Sequence, residues 1–181
     1  MPWQWQNPRS KLYKENTMFY AILGAVIAAA VGLDQLVKWL TIQHIPENTV
    51  LEEPILGLFR LAHHRNTGAA WSMLEGQTWF FLLVLGIFLL ALVFMIRKKW
   101  FNKKPELVAL AFIIGGAFGN AIDRIFRNGE VVDMIKFHFW MEFPTFNVAD
   151  IFITVGCAFL IVYVMFFDKE TQERLDRKEK K

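Results

Sequence analysis

The sequence predicts an all-α membrane protein of four transmembrane helices, with a small sheet outside the membrane. Three observations predict it. Of 181 residues, 55% are hydrophobic. The apolar residues fall in four long blocks, and basic residues cluster beside those blocks. The length would suit one soluble domain, but blocks of this kind do not suit a soluble core. A single integral membrane domain over residues 1–181 is therefore expected.

A bilayer core takes roughly 20 apolar residues per helix. The spans are expected at about 19–40, 79–96, 107–125 and 148–167, the second with no charge before its end. Lys11 and Lys14 ahead of Ala28–Ala30 have the form of a cleavable leader. Three later spans hold the chain in the membrane regardless, and Asp34 and Lys38 read as residues kept for use.

Basic residues set topology. Arg9, Lys11 and Lys14 precede the first span. Arg97 through Lys104 fill the connection between the second and third, and Lys169 through Lys181 follow the fourth. These segments fall on one side of an even-span protein, so both termini are expected to be cytoplasmic. The connections at about 41–78 and 126–147 then face outward. The net charge of +3 is read as orientation charge, which excludes a nucleic-acid partner. Residues 1–17, with Trp3 and Trp5, are expected at the interface, and the tail from Asp168 as a solvated helix end.

The first outer connection is too long for a simple turn. Thr49–Leu51 and Leu58–Leu61 have strand composition and are separated by Pro54 and Gly57. The adjacent pair His63–His64 is tempting as a metal site. Neighbours on a strand face opposite ways, and no companion cluster is evident, so no metal is expected. The single cysteine, Cys157, lies in an apolar block and reads as a small buried hydrophobe. In the second connection Phe137, Phe139, Trp140 and Phe143 interleave with polar groups, which predicts contact with lipid headgroups.

Charges inside or beside spans are costly and face a protein interior. Asp34 and Lys38, one turn apart, form either an intrahelical ion pair or a polar strut into the bundle. Gly115, Gly116 and Gly119 suit close helix packing, and also open space beside a helix. Asn120, Asp123 and Arg124 follow on one helix face. Asp133 sits in the apolar run Val131–Ile135, which would desolvate it and raise its pKa. Asn147 and Asp150 read as a capping pair at the start of the fourth span. That place at a helix N-terminus also suits a carboxylate held charged.

Two close carboxyls share one proton. One can then draw a proton from water while the other protonates a carbonyl oxygen, which is hydrolysis without a covalent intermediate. Ser72 has no evident base, Cys157 lies mid-membrane, and there is no phosphate-binding glycine loop. A transporter or proton pathway is the rival reading. It predicts carboxylates spread through the membrane depth, and it lacks a visible inverted repeat. A non-catalytic membrane scaffold is a second rival.

At these residues the sequence resembles the lipoprotein signal peptidases, or signal peptidase II, of bacteria. The resemblance runs in order through Leu33–Gln35 with Lys38, Arg65–Ala70, Gly115–Ala117, Gly119–Asn120, Asp123–Arg124, Gly129 with Val131–Asp133, and Phe143–Asp150. It covers about residues 18–167. It implies four transmembrane helices, an outer β-cradle and a short outer helix. It also implies Asp133 and Asp150 as the catalytic pair. Asn66, Asn120, Arg124 and Asn147 would shape the site and hold substrate backbone, with Arg65, Asp34, Lys38 and Asp123 in support. The implied substrates are prolipoproteins whose lipobox cysteine carries diacylglycerol, cut just before that cysteine. The implied setting is the lipid bilayer of the cytoplasmic membrane, with the site near its outer face and globomycin-type cyclic peptides as inhibitors. No metal or cofactor is implied, and a monomer is expected. Trp71 departs from the more usual Phe, and residues 1–17 form a longer lead than is common.

Overall fold

The computed structural model describes residues 8–68, 74, 76–140 and 142–168, with side chains from Thr17 onward. The expectations on Trp3 and Trp5, on Ala69–Trp71 and Ser72, and on the tail beyond Asp168 lie outside the described residues. Seven elements follow in order: α1 Pro8–His44, β1 Thr49–Val50, β2 Phe59–Asn66, α2 Thr78–Arg97, α3 Lys104–Phe126, β3 Val131–Phe137 and α4 Val148–Phe166. Four helical stretches are long and apolar enough to cross a membrane: Thr17–His44, Thr78–Arg97, Lys104–Phe126 and Val148–Phe166. Their outward residues are apolar: Leu36, Trp39, Leu90, Ile161 and Phe166 are each more than half exposed. Such surface is stable only against lipid.

Helix α3 is the centre of the bundle. More than half of its most apolar stretch is buried, against about a tenth for α1 and α4 and less for α2. Its glycines make this possible. A Cβ on Gly115 would lie 2.7 Å from the Cβ of Ala30 on α1. One on Gly116 would lie 2.3 Å from the main-chain oxygen of Ala149 on α4, and one on Gly119 2.6 Å from the Asp34 carboxylate. Gly156 of α4 makes a reciprocal approach to Ala109. Bare backbone here lets three helices close on one another with van der Waals contact as the main attraction.

These contacts fix direction. Ala30 and Asp34 meet Gly115 and Gly119 in ascending order, so α1 and α3 run parallel. Gly156 meets Ala109 whereas Ala149 meets Gly116, so α4 runs against them. Helix α2 also runs against α3: Leu92 packs near Leu110 and Ile113, and Phe81 near Arg124. The start of α1, the 98–103 connection and the end of α4 therefore share one end of the bundle. That end also holds buried Glu106, which accepts the N–H groups of Asn102 and Lys103 at 2.9 Å and caps α3. Lys103 pairs there with Asp168. Cys157 packs against the Leu92, Leu110 and Ile113 cluster, as a small hydrophobe would.

At the opposite end the two longer connections build one antiparallel sheet in the order β1-β2-β3. Residues from one connection pair with residues of the other: Asn66 opposite Val131, His64 opposite Asp133, and Phe59 opposite Phe137. A bulge between Leu61 and His64 shifts the register and bends the strand. The turn from α3 into β3 uses Asn128 and Gly129, both at positive φ. A Cβ at Gly129 would strike the Thr78 hydroxyl at the start of α2. The expected short outer helix is not among the described elements; strands, turns and bends make up the described parts of those connections. Phe137, Phe139, Phe143, Phe146 and Trp140 form one continuous aromatic cluster at the far end of β3. Phe139 and Trp140 remain at least half exposed, in keeping with a headgroup-level surface.

The glycine contacts predict a graded response. Gly116→Ala should destabilise the detergent-solubilised protein by about 1–3 kcal/mol, because a methyl meets main chain that cannot move aside. Gly86→Ala, at a site with nothing within 4 Å, should leave thermal unfolding unchanged. Equal melting temperatures for the two variants would contradict the packing described.

A candidate active site at the sheet end of the bundle

Four elements converge where α3 ends and α4 begins. Asn147 is the N-cap of α4. Its side-chain oxygen accepts the Asp150 N–H at 3.0 Å, and the Asp150 carboxylate accepts the Asn147 N–H at 3.1 Å. The capping pair read from the sequence is therefore present, and it is also part of the site. The amide nitrogen of Asn147 donates to Asp133 Oδ1 at 2.7 Å and to Asn120 Oδ1 at 3.0 Å. Asn120 in turn donates to Asp150 Oδ1 at 2.8 Å. Asn66, at the end of β2, donates to Asp133 Oδ2 at 3.2 Å. One residue, Asn147, thus binds both carboxyls, which come from segments 17 residues apart in sequence.

These side chains line a cavity of about 410 Å³. Asn66, Asn120, Arg124, Asp133, Asn147 and Asp150 all face it, and apolar Ile151 and Val155 extend it along α4. Strand alternation places Asp133 there: Val131, Asp133 and Phe137 line the cavity, while Val132 and Met134, also buried, do not. Arg124 donates to the Gly68 carbonyl at 3.0 Å, and its guanidinium lies 4.3 Å from the centre of the Phe81 ring on α2.

Behind the cavity lies a second layer. Lys38 has no solvent exposure, and its ammonium reaches Asp34 at 2.9 Å, Asp123 at 3.0 Å and Asn120 Oδ1 at 3.0 Å. Asp34 accepts the Ala149 N–H at 2.9 Å. Asp123 accepts the Val132 N–H at 3.0 Å and a hydrogen bond from Arg127 at 3.1 Å. Asp34 and Lys38 are both an intrahelical pair and a strut, so the two readings of that pair merge. Asp123 diverges from Asn120 and Arg124: it turns toward α1 and β3, whereas they face the cavity. Arg65 does not line the cavity. It holds Glu47 at 3.1 Å and Glu130 at 2.9 Å, tying the sheet to the end of α1 and to the α3–β3 turn.

Several participants were not singled out in the sequence. Gln35 donates to Asp123 Oδ1 at 2.9 Å and to the Gly119 carbonyl at 3.0 Å; its place beside Asp34 was the available signal. Thr154 lines the cavity one turn beyond Asp150, a spacing that puts it on the same face. Phe81 carried no signal, being one aromatic in an apolar run. His63 and His64 divide as strand neighbours do: His63 is buried against the Ile45 carbonyl at 2.8 Å, and His64 is exposed. Among the described residues no three His, Cys, Asp or Glu side chains are grouped as metal ligands would be. Asp34, Asp123, Asp133 and Asp150 gather in one network, whereas a transport pathway would spread them through the membrane depth.

Burial, reinforced by the nearby Asp150 carboxyl, pushes Asp133 up from 3.8 to about 7; hydrogen bonds from Asn66 and Asn147 oppose the rise. A carboxyl that keeps its proton near neutral pH beside a second carboxyl can donate to one atom while its neighbour accepts from another. The folded group also binds its proton more tightly than the unfolded one does. Its effect on stability is therefore most favourable below about pH 4 and is lost as pH rises to about 7. Asp133→Asn removes that dependence. Its melting temperature relative to the unaltered protein should rise between about pH 5 and about pH 8, as measured by thermal unfolding in detergent. A constant difference would mean that Asp133 is not desolvated.

Comparisons with known proteins identify the family. Residues 26–166 match the family model described as Signal peptidase (SPase) II. A lipoprotein signal peptidase of Bacillus pumilus is 41% identical over 160 residues, covering 86% of this chain and 98% of that one. One from Enterococcus faecalis is 40% identical over 157 residues, covering 87% and 96%. A solved bacterial membrane enzyme superposes with a TM-score of 0.74 at 32% identity over 83% of this chain and 91% of its own. A second gives 0.71 at 33% identity over 82% and 95%. The buried glycines, the capped α4 and the sheet-borne aspartate thus sit in a chain that belongs to the signal peptidase II family.

Proposed function

We propose that this chain is a membrane-embedded aspartic endopeptidase that removes the signal peptide from diacylglyceryl-modified prolipoproteins, cutting before the lipidated lipobox cysteine, with Asp133 and Asp150 as the catalytic pair. The observation that carries the assignment is Asn147, which hydrogen-bonds to both carboxyls at one cavity. Asp133 is the general acid, since it holds its proton up to about 7. Asp150 is the general base. It lies in the first turn of α4, where the helix dipole favours negative charge.

The atoms balance with water alone. Asp150 takes a proton as the water oxygen attacks the scissile carbonyl carbon, and Asp133 gives its proton to the carbonyl oxygen. Collapse of the tetrahedral carbon returns the oxygen's proton to Asp133 and delivers that on Asp150 to the departing cysteine nitrogen. Asn66 and Asn120 hold the two carboxyls in place, and Arg124 reaches the same cavity as a fixed cation. This chemistry requires no metal or cofactor.

The apolar extension along Ile151 and Val155 suits a signal-peptide helix arriving sideways from the lipid. The basic end of the bundle is assigned to the cytoplasm and the sheet and cavity to the outer face of a bacterial cytoplasmic membrane, with the whole chain as one membrane domain. A globomycin-type cyclic peptide would occupy the cavity, and a monomer contains every group the chemistry uses.

In detergent, purified protein should release the signal peptide from a diacylglyceryl precursor. Asp133→Asn and Asp150→Asn should each slow release by about 10²–10⁴-fold, the range for loss of a general acid or base. Undiminished release by a folded variant removes that residue from the chemistry. The acid form of Asp133 is present below about 7 and lost above it. A profile of kcat/KM from about pH 5 to about pH 9 should therefore fall on its alkaline side near 7. A profile still rising there would reverse the acid and base assignments.

A further inference from the structure

A second cavity, of about 210 Å³, lies at membrane depth between α2 and α3. Its walls are Phe81, Leu85 and Phe88 of α2, Ala117 and Ala121 of α3, and Ile153 of α4. Two polar residues, Asn120 and Arg124, complete its lining. Both also line the cavity that holds Asp133 and Asp150. The two spaces therefore adjoin, separated by the Arg124 guanidinium stacked on Phe81.

The walls define what this groove accepts. Apart from Asn120 and Arg124, every lining residue is an apolar residue of a membrane-spanning helix, so a peptide backbone away from those two would leave its polar groups unpaired. Hydrocarbon carries no such cost. Small Ala117 and Ala121 leave the floor open, and bulky Phe81 and Phe88 close the α2 side. The groove thus offers an apolar surface that reaches the dyad cavity at Asn120 and Arg124.

We infer that this groove seats an acyl chain of the diacylglyceryl group on the substrate cysteine, an assignment that rests on the proteolytic reading above. That cysteine supplies the nitrogen of the bond to be cut. Its lipid is tethered within a few bonds of the dyad and must turn back into the membrane close by. The α2–α3 groove meets the dyad cavity at Asn120 and Arg124, and so gives that lipid a path beside the one left for the signal peptide along α4. Lipid tails are as apolar as the groove, so seating one adds little affinity over leaving it in the bilayer. Its contribution is placement: a held chain orients the cysteine and hence the scissile carbonyl.

The test compares precursors carrying long and short acyl chains. Unaltered protein that cleaves neither defeats the proteolytic reading itself. If it cleaves both, Ala117→Leu and Leu85→Trp, which fill the groove from opposite walls, should each lower the long-to-short ratio of kcat/KM by about ten- to a hundredfold, the scale of a misplaced reacting group. An unchanged ratio in a folded variant overturns the groove assignment and leaves the proteolysis standing. A second measurement covers failure to fold. A precursor with a photoreactive acyl chain, bound to Asp150→Asn protein, should label residues 81–88 and 117–121. A photoreactive phospholipid at the same concentration should label them less, and excess precursor should displace it. Labelling confined to 151–155, or phospholipid labelling that precursor does not displace, would show a lipid-facing surface without this role.

Discussion

Lys38 places a full positive charge in the bundle interior with no solvent to screen it. Such a charge is tolerable only when its three donors are satisfied and opposite charge lies close by. Asp34, Asp123 and Asn120 meet both needs, and each comes with a further obligation. Asp34 also binds the first turn of α4, Asp123 binds the main chain of β3, and Asn120 binds Asp150. A single ammonium therefore draws together α1, α3, α4 and the sheet. Removing one partner would leave a buried charge unmatched, at a cost of about 3–5 kcal/mol. The glycine face of α3 is the companion condition, since Asp34 can lie against Gly119 only because no side chain stands there.

The cavity that holds Asp133 and Asp150 inherits its order from this layer. Asn120 accepts from Lys38 and Asn147 with its oxygen, which turns its nitrogen toward Asp150. Asn147 is oriented in the same way, because its oxygen is engaged by the Asp150 N–H and its nitrogen is left for Asp133. Neither amide can flip without losing hydrogen bonds on both sides. The two carboxyls are thus held by groups that are themselves held, which is the arrangement preorganised catalysis requires.

The parts of this protein that the sequence disclosed are those with local causes. Four apolar blocks and their basic flanks are counted directly. Asp150 and Asn147 are visible because a capping pair has fixed spacing, and Asp133 because a charge within Val131–Ile135 conflicts with its neighbours. The pairing of β2 with β3 was not visible. Its strands come from different connections, β3 shows no alternation because Val131 through Met134 are all buried, and the bulge at Leu61–His64 breaks the alternation of β2. Asp34, Lys38, Asp123 and Arg124 stood out as charges inside or beside spans, whereas Asn66 and Arg65 came from the resemblance. The stacking of Phe81 under Arg124 had no sequence signature, because one phenylalanine in an apolar helix looks like any other.

Helix α2 holds to the bundle by little: Leu92 is its only buried residue, Phe81 lies beneath Arg124, and Thr78 sits over Gly129. In water, parting such a helix from its neighbours would expose apolar surface at great expense. In a bilayer the vacated surface is wetted at once by lipid tails, and only dispersion contacts are exchanged. The fold can therefore keep a rigid polar layer and a cheaply opened wall side by side, because one is secured by paired charges and the other mainly by shape.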